Sequence, residues 1–295
     1  MENHFSIDFG LCNACNLCTE VCPNKILFLN EERTLSVRAD RVPVCILCGQ
    51  CMAVCPEKSI IVSGLSYEAD FFELPPAATY ENCFYNLITT RRAVRNFKDK
   101  PVPKEILEKI VEAISFAPPG FPPVKTELVV VQDRNLIRAA LPYMIELYDG
   151  LLKAIQRPIA RYFIRKRIGP QRFITLKEHL IPLLKIRMAG LKAGTEDTLT
   201  RNAPAMILFC GEKEGEDIRG EVFIAATYGM LAAHALGLGG SIMDIIPPAI
   251  ERSKPLREMF NISENTEIIT SLIIGYPKYK YLRGIKRSLK NVEWL

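Results

Sequence analysis

The apolar positions of this chain fall into two regimes. Up to about residue 63 the apolar runs are short. Residues 27–29 and 60–62 are strand-length, and each follows the same punctuation, Val21-Cys22-Pro23-Asn24-Lys25-Ile26 and Val54-Cys55-Pro56-Glu57-Lys58-Ser59-Ile60. The segment 64–82 carries Leu74-Pro75-Pro76 and no sustained period, which reads as a linker. Past residue 83 the pattern lengthens. Ile106, Leu107, Ile110, Val111 and Ile114 recur at helical spacing, with Pro103 suited to the first turn and Ala117-Pro118-Pro119-Gly120 to the stop. Residues 128–131, 205–210, 241–246 and 268–274 are strand candidates. The expected organisation is a small unit over 1–66, a linker over 67–82 and a second domain over 83–295.

One apolar stretch has the length of a membrane span. Residues 222–243 contain no Lys, Arg, Asp or Glu. Ala, Gly, Thr and His234 dominate it, and Gly237, Gly239 and Gly240 break it after about four turns. A helix buried in a core or a subunit interface fits these residues better.

Ten cysteines change the picture of the small unit. Eight fall into two runs, Cys12-x-x-Cys15-x-x-Cys18-x-x-x-Cys22-Pro23 and Cys45-x-x-Cys48-x-x-Cys51-x-x-x-Cys55-Pro56, 33 positions apart. Three thiolates two residues apart let a tight loop wrap one face of a cubic cluster, and the fourth must come from elsewhere. This is the bacterial iron–sulfur pattern, in which the fourth cysteine crosses to the other cluster. Cys12, Cys15, Cys18 and Cys55 are therefore expected to hold one [4Fe–4S] cluster, and Cys45, Cys48, Cys51 and Cys22 the other. Two structural zinc sites are the competing reading, but zinc takes paired C-x-x-C units. The clusters would stand in for the core that so short a unit cannot build. Cys83 and Cys210 remain as ordinary buried thiols.

The 295 residues suffice for about two domains, and 48% hydrophobic with 24% charged residues is ordinary for a globular chain. The first eleven residues contain acids and no apolar core, so no signal peptide is expected, and a cytoplasmic, reducing setting follows. Residues 1–66 hold five basic and seven acidic side chains, hence −2, so the rest carries +7 and the whole chain +5. Part of that excess is Arg91, Arg92 and Arg95. They form either a solvated basic edge or a phosphate clamp, since guanidinium grips phosphate oxygens bidentately. Arg283, Lys286 and Arg287 could close over the same phosphate. The Gly237-Leu238-Gly239-Gly240-Ser241 turn lacks G-x-G-x-x-G and follows a helix, so it is a weak nucleotide signal.

Residues 1–63 resemble a bacterial-type two-cluster ferredoxin. From about residue 86, the order Arg91-Arg92-Ala93-Val94-Arg95-Asn96-Phe97, Pro101-Val102-Pro103, Ala117-Pro118-Pro119-Gly120, Gly237-Leu238-Gly239, Gly275-Tyr276-Pro277 resembles the nitroreductase family of FMN enzymes. The resemblance implies an α+β fold, a sheet wrapped by helices, and a homodimer with FMN at the subunit interface. It assigns Arg91, Arg92 and Arg95 to the flavin phosphate and ribityl chain, and Arg283 or Arg287 to the rest of the phosphate site. Pro118, Pro119 and Gly120 would line the flavin ring across the dimer, and Gly240 and Ser241 would sit near its pyrimidine edge. There are departures. Ala93 stands where Ser is common, and residues 121–125 (Phe-Pro-Pro-Val-Lys) replace the segment that shapes the substrate side. No acid–base side chain is evident, because in such enzymes the flavin carries the chemistry.

Within a basic insertion at about 145–200, residues 151–192 carry eleven Lys or Arg and one acid, Glu178. Arg157, Arg161 and Arg165 recur at helical spacing, Ile155, Ile159, Tyr162 and Phe163 offer an apolar stripe, and Gly169-Pro170 divides two candidate helices. The pair is expected to be a lid or dimer-packing element. Its other readings are a docking surface for an acidic donor such as a ferredoxin or flavodoxin, or a contact with an anionic membrane surface. Nucleic acid is not expected, because no aromatic interleaving accompanies the charge. The functional expectation is an FMN oxidoreductase that takes electrons from a ferredoxin, a flavodoxin or NAD(P)H through two clusters and reduces a nitro compound or similar acceptor. Reduction of an activated C=C or a halogenated compound is the alternative. A further one is an electron relay or redox sensor without its own small substrate.

Overall fold

The structure is a computed structural model and describes residues 5–74, 83–118, 126–213 and 218–295. The chain forms two compact units, the first comprising Met1–Arg92 with Tyr279–Leu295, the second Ala93–Lys278.

The first unit begins with β1 (Phe5–Ile7), α1 (Leu17–Val21), β2 (Leu27–Leu29), β3 (Leu35–Val37), α2 (Gln50–Val54) and β4 (Ile60–Val62). β2 and β4 fall on the two expected runs. β1 pairs antiparallel with β4, and β2 with β3. The sequence repeat is also a backbone repeat. Left-handed residues recur 33 positions apart at Ala14 and Leu47, Asn16 and Gly49, Lys25 and Lys58. Each costs about 1–2 kcal/mol for a residue with a Cβ. Only Gly49 is a glycine, and a Cβ there would stand 3.1 Å from the Phe71 ring.

The expected linker is partly structured. α3 (Tyr67–Asp70) starts on Ser66, whose hydroxyl accepts from the Glu68 and Ala69 amides, and β5 (Phe71–Glu73) follows. Phe71 is buried and stacks tilted on Tyr67 at 5.3 Å, so this apolar pair draws 67–73 onto the small core. α4 (Cys83–Thr90) belongs to the same unit, and Cys83 is exposed, contrary to expectation. The expected boundaries at 66 and 83 are thus not those of the compact units. The rest of the expected linker, 75–82, lies outside the described residues.

The second unit comprises α5 (Lys104–Ser115), β6 (Glu127–Val131), α6 (Arg134–Gln156), α7 (Pro158–Ile168), α8 (Pro170–Thr175), α9 (Ile181–Ala193), β7 (Ala205–Glu212), α10 (Arg219–Ala235), β8 (Gly239–Ile242), α11 (Ile246–Glu251), α12 (Lys254–Met259) and β9 (Thr266–Gly275). The sheet runs β6-β7-β9-β8, antiparallel throughout. Alternate residues of β7 serve two cores. Met206, Leu208 and Cys210 face Ile137, Met144, Leu184 and Leu256, whereas Ala205, Ile207 and Phe209 face Leu107, Ile110, Ile114 and Val222. A strand covered on both faces has to read as an unbroken apolar run. The fold is α+β, a sheet between helical layers. β8 stops at Ile242, short of the expected strand. Residue 246 opens α11 instead, because Pro247 fits a first helical turn and cannot donate to a ladder. β10 (Arg283–Ile285) returns to the first unit, antiparallel to β5.

The uncharged stretch forms α10 and turns out at Gly237, φ +78°. Val222, Ala225, Ala226, Gly229 and Ala233 are buried, while Phe223, Ile224 and Tyr228 are exposed. Among the described residues no helix is long and apolar enough to cross a membrane.

The basic insertion is broken twice. Pro158 holds Arg157 extended, so α6 and α7 are separate helices, and Gly169 at φ +81° ends α7. The expected stripe is therefore divided. Ile155 is buried at the end of α6, whereas Ile159, Tyr162 and Phe163 on α7 are exposed.

Candidate functional site

The cysteine runs are shaped by the repeat. In each, a left-handed N-cap, Asn16 or Gly49, starts a short helix that carries the third cysteine, and the fourth, Cys22 or Cys55, ends that helix in an extended conformation. The extended turn sends each fourth sulfur away from its own run. Two cavities result. Cys12, Cys15, Cys18 and Cys55 line one, with Leu29, Leu35 and Ile60. Cys22, Cys45, Cys48 and Cys51 line the other, with Pro23, Ile26 and Leu65. Each cavity is thus lined by three cysteines of one run and the fourth of the other.

The crowding of the thiols also shows in their electrostatics. Burial pushes the Cys18 thiol up to about 12, with Cys55, Cys15 and Cys12 adding to the rise. Burial, then Cys22, Cys48, Cys18 of the other quartet and Cys45, push Cys51 well up. Crowded buried thiols resist ionisation, and a bound iron cluster relieves that cost by taking thiolates as ligands. The amides of Ile26 and Ser59 donate to Cys22 Sγ and Cys55 Sγ, both at 3.4 Å, again 33 positions apart. Hydrogen bonds to ligand sulfur are one means of setting a cluster's potential. Among the described residues, no three His, Cys, Asp or Glu converge closely enough to hold a single ion. The thiols surround two spaces instead, and a thiolate quartet about an apolar-walled space is the donor set of a [4Fe–4S] cube.

The arginine segment divides between the units. Arg91 and Arg92 belong to the first. Arg92 is buried, with Nη1 donating to the Arg91 carbonyl and Nη2 to the Arg283 carbonyl. Burial, then the charges of Arg91 and Arg287, lower its pKa to about 10. Arg283 and Arg287 belong to the same unit. Arg283 is buried and donates to the Pro56 carbonyl at 2.7 Å. Arg287 donates to Leu47 and Cys48 carbonyls.

Arg95 belongs to the second unit, where the segment carrying it lies along β8. Ala93 bridges Gly240 in parallel, and the Val94 amide donates to the Gly240 carbonyl at 3.0 Å. This close approach is the structural use of the glycine turn. A Cβ on Gly239 would meet Val94 Cγ2 at 2.4 Å, and one on Gly240 the Ile273 carbonyl at 2.9 Å. Ser241 is buried on β8 with its hydroxyl on the Ile242 carbonyl. Pro118 is exposed, and Pro119 and Gly120 lie outside the described residues.

The structure adds two arginines that sequence reading missed. Burial, then the charges of Arg95 and Arg187, lower the Arg201 pKa to about 10, against Asp197 and Glu196. Arg187 is 1% exposed and pairs with Glu196 at 2.8 Å. Arg201 sits at φ +60° on a loop organised by Asp197, whose carboxylate accepts from the Leu199, Thr200 and Asn202 amides. Arg95, Arg187 and Arg201 thus act on one another's charge beside Asp197 and Glu196. No motif in the sequence marks Arg187 or Arg201.

A Gly239→Ala substitution should displace Val94 and, one residue on, Arg95. Overpacking of this kind costs about 1–3 kcal/mol. The expected result is a lower thermal midpoint together with weaker flavin binding, read by calorimetry and by flavin titration of the same sample. A variant normal in both would contradict the role given to the glycine.

The model of the nitroreductase family matches residues 88–276, and that of a 4Fe-4S dicluster domain matches residues 11–59. A protein of Archaeoglobus fulgidus named as an NADH dehydrogenase/NAD(P)H nitroreductase is 25% identical over 203 residues, 67% of this chain and 87% of its own length. Iodotyrosine deiodinase 1 of Rattus norvegicus is 23% identical over 202 residues, 66% of this chain and 62% of its own. A nitroreductase of Desulfitobacterium hafniense, solved with bound FMN, is similar in fold, with a TM-score of 0.52 at 16% identity over 72% of this chain and 97% of that one.

Proposed function

Because the chain belongs to the nitroreductase family, as an FMN oxidoreductase with a two-cluster 4Fe-4S domain ahead of the family domain, we propose that single electrons enter through the clusters and leave in pairs on a small organic acceptor. The observation that carries this reading is the pair of four-thiol cavities in the same chain as the family's fold. Clusters pass electrons singly, whereas a bound flavin supplies two-electron chemistry.

The chain's own groups hold and orient. The two cysteine quartets bind iron. Of the residues that the resemblance gives to the flavin, Arg95 has the best support, since Arg201 and Arg187 add positive charge beside it. Arg201 is a proposed phosphate ligand from that proximity. Arg91, Arg92, Pro118, Pro119, Gly120, Gly240 and Ser241 remain proposals from the resemblance. Arg283 and Arg287 donate to carbonyls of the cysteine-rich unit, which favours a role there instead of on the phosphate.

Nitro reduction is the first reading. The likeness to iodotyrosine deiodinase 1 favours reductive dehalogenation as the second. A homodimer is supported by the uncharged exposed side chains of α10, Phe223, Ile224 and Tyr228. A cytoplasmic setting is supported by the thiolate role given to eight of the ten cysteines, since a reducing compartment keeps thiols available as ligands. An acidic donor is supported by α7, whose charged residues are Arg161, Arg165, Lys166 and Arg167.

The test is anaerobic reconstitution followed by turnover. Reduced ferredoxin, NADH and NADPH are compared against nitro, enoate and haloaromatic acceptors. Ferredoxin-driven reduction of a nitro or halogenated compound, falling steeply with salt, is the expected result. Flavin-loaded protein that turns over none of these acceptors with any donor would sink the reading and leave the relay.

A further inference from the structure

The segment Tyr279–Leu295 is separated from the cysteine runs by more than two hundred residues, yet it completes their unit. The Leu282 amide donates to the Ala53 carbonyl on α2, and the Tyr281 hydroxyl to Gln50 Oε1 at the start of that helix, 2.7 Å. The Tyr279 hydroxyl donates to Glu20 Oε2 on α1 at 2.8 Å. β10 pairs with β5, and Gly284 passes so close to Phe72 that a Cβ would stand 2.0 Å from its ring. Tyr279, Tyr281 and Ile285 pack against the small core.

At its far side the segment reaches the second thiol quartet. Arg287 Nη1 donates to the Leu47 carbonyl at 2.9 Å, and Nη2 to the Cys48 carbonyl at 2.8 Å. Both carbonyls belong to the loop that presents Cys45 and Cys48, and Leu47 is one of its left-handed residues. Two donors of one planar fork on successive carbonyls fix the loop in a way that the single ammonium of lysine cannot.

We propose that Arg287 is a positioning residue of the iron–sulfur centre, and that through it the Tyr279–Leu295 segment makes the cluster held by Cys22, Cys45, Cys48 and Cys51 easier to reduce. The fork sets the conformation of the Cys45–Cys48 loop. Its charge acts in the same direction. A cube held by four thiolates becomes more negative on gaining an electron, and a fixed cation beside the loop stabilises that state. The repeat builds two similar thiol sites, and this contact falls on one of them. The proposal rests on the two-cluster reading of the function.

The test is a redox titration of the holoprotein, followed by electron paramagnetic resonance, for wild type, Arg287→Gln and Arg287→Lys. Iron is counted first, which separates a failure of the two-cluster reading from a failure of this proposal. Arg287 is exposed, so iron content should stay at the wild-type level. In Arg287→Gln one cluster should be harder to reduce, its reduced-to-oxidised ratio at the wild-type midpoint falling roughly fivefold after screening. The other midpoint should stay in place. Arg287→Lys should lie between wild type and Arg287→Gln, keeping the charge and losing the fork. Two unchanged midpoints in fully loaded Arg287→Gln protein would overturn the proposal, and so would an equal shift of both.

Discussion

Replacing Cys22 and Cys45 together by serine is expected to leave one cluster, about four irons per chain in place of about eight, whereas replacing Cys22 and Cys12 together is expected to leave none. The reason is the crossover. Cys22 belongs by sequence to the first run, but it lines the second cavity with Cys45, Cys48 and Cys51. A pair of substitutions within one cavity removes one cluster, and a pair that spans both removes two. If each run held its own cluster, the two results would be exchanged. Iron analysis and the charge-transfer absorbance of the purified proteins read the answer directly. The Cys22 and Cys12 double variant should also lose the stability of its unit. Cys18, Cys51 and Cys55 are buried in its core, and a metal-centred unit of this size depends on its metal.

The second large effect concerns the flavin. Arg95→Ala and Arg201→Ala should each weaken FMN binding roughly tenfold to a hundredfold, the equivalent of one charge-assisted hydrogen bond to phosphate. Riboflavin, which lacks the phosphate, should bind both variants as it binds wild type. Quenching of flavin fluorescence in titrations of the apoprotein measures this. Arg161→Ala on the exposed face of α7 serves as the control and should bind FMN normally. Arg187 is unsuitable for the comparison, since removing a charge buried with its partner Glu196 costs about 3–5 kcal/mol of stability. Unchanged FMN affinity in both Arg95→Ala and Arg201→Ala would remove the phosphate from this place.

Much of the molecule is legible in its sequence, for identifiable reasons. The cysteine spacing anticipates which cysteines line each cavity, because each third cysteine rides on a short helix that the fourth ends in an extended conformation. β7 and β9 announce themselves as unbroken apolar runs because both their faces are covered. The Gly237 to Ser241 turn was visible, but its purpose was not. The residue it admits, Val94, comes from a segment with no local link to it. Arg283 and Arg287 have the composition of a phosphate clamp, and only their partners Pro56, Leu47 and Cys48 show them engaged with the cysteine unit. Pairing of β10 with β5 across two hundred residues leaves no periodic trace in strands of three. Arg201 depends on a loop that Asp197 folds through backbone amides, a device without a fixed spacing of apolar positions.

Electrons delivered to the cysteine unit are expected to reach the acceptor through the clusters. The direct measurement is anaerobic turnover driven by a reduced one-electron donor, comparing wild type with Cys48→Ser at equal flavin occupancy. Loss of donor-driven turnover with flavin still bound is the expected result. Turnover equal to wild type in a protein shown by iron analysis to lack that cluster would contradict a route through the clusters.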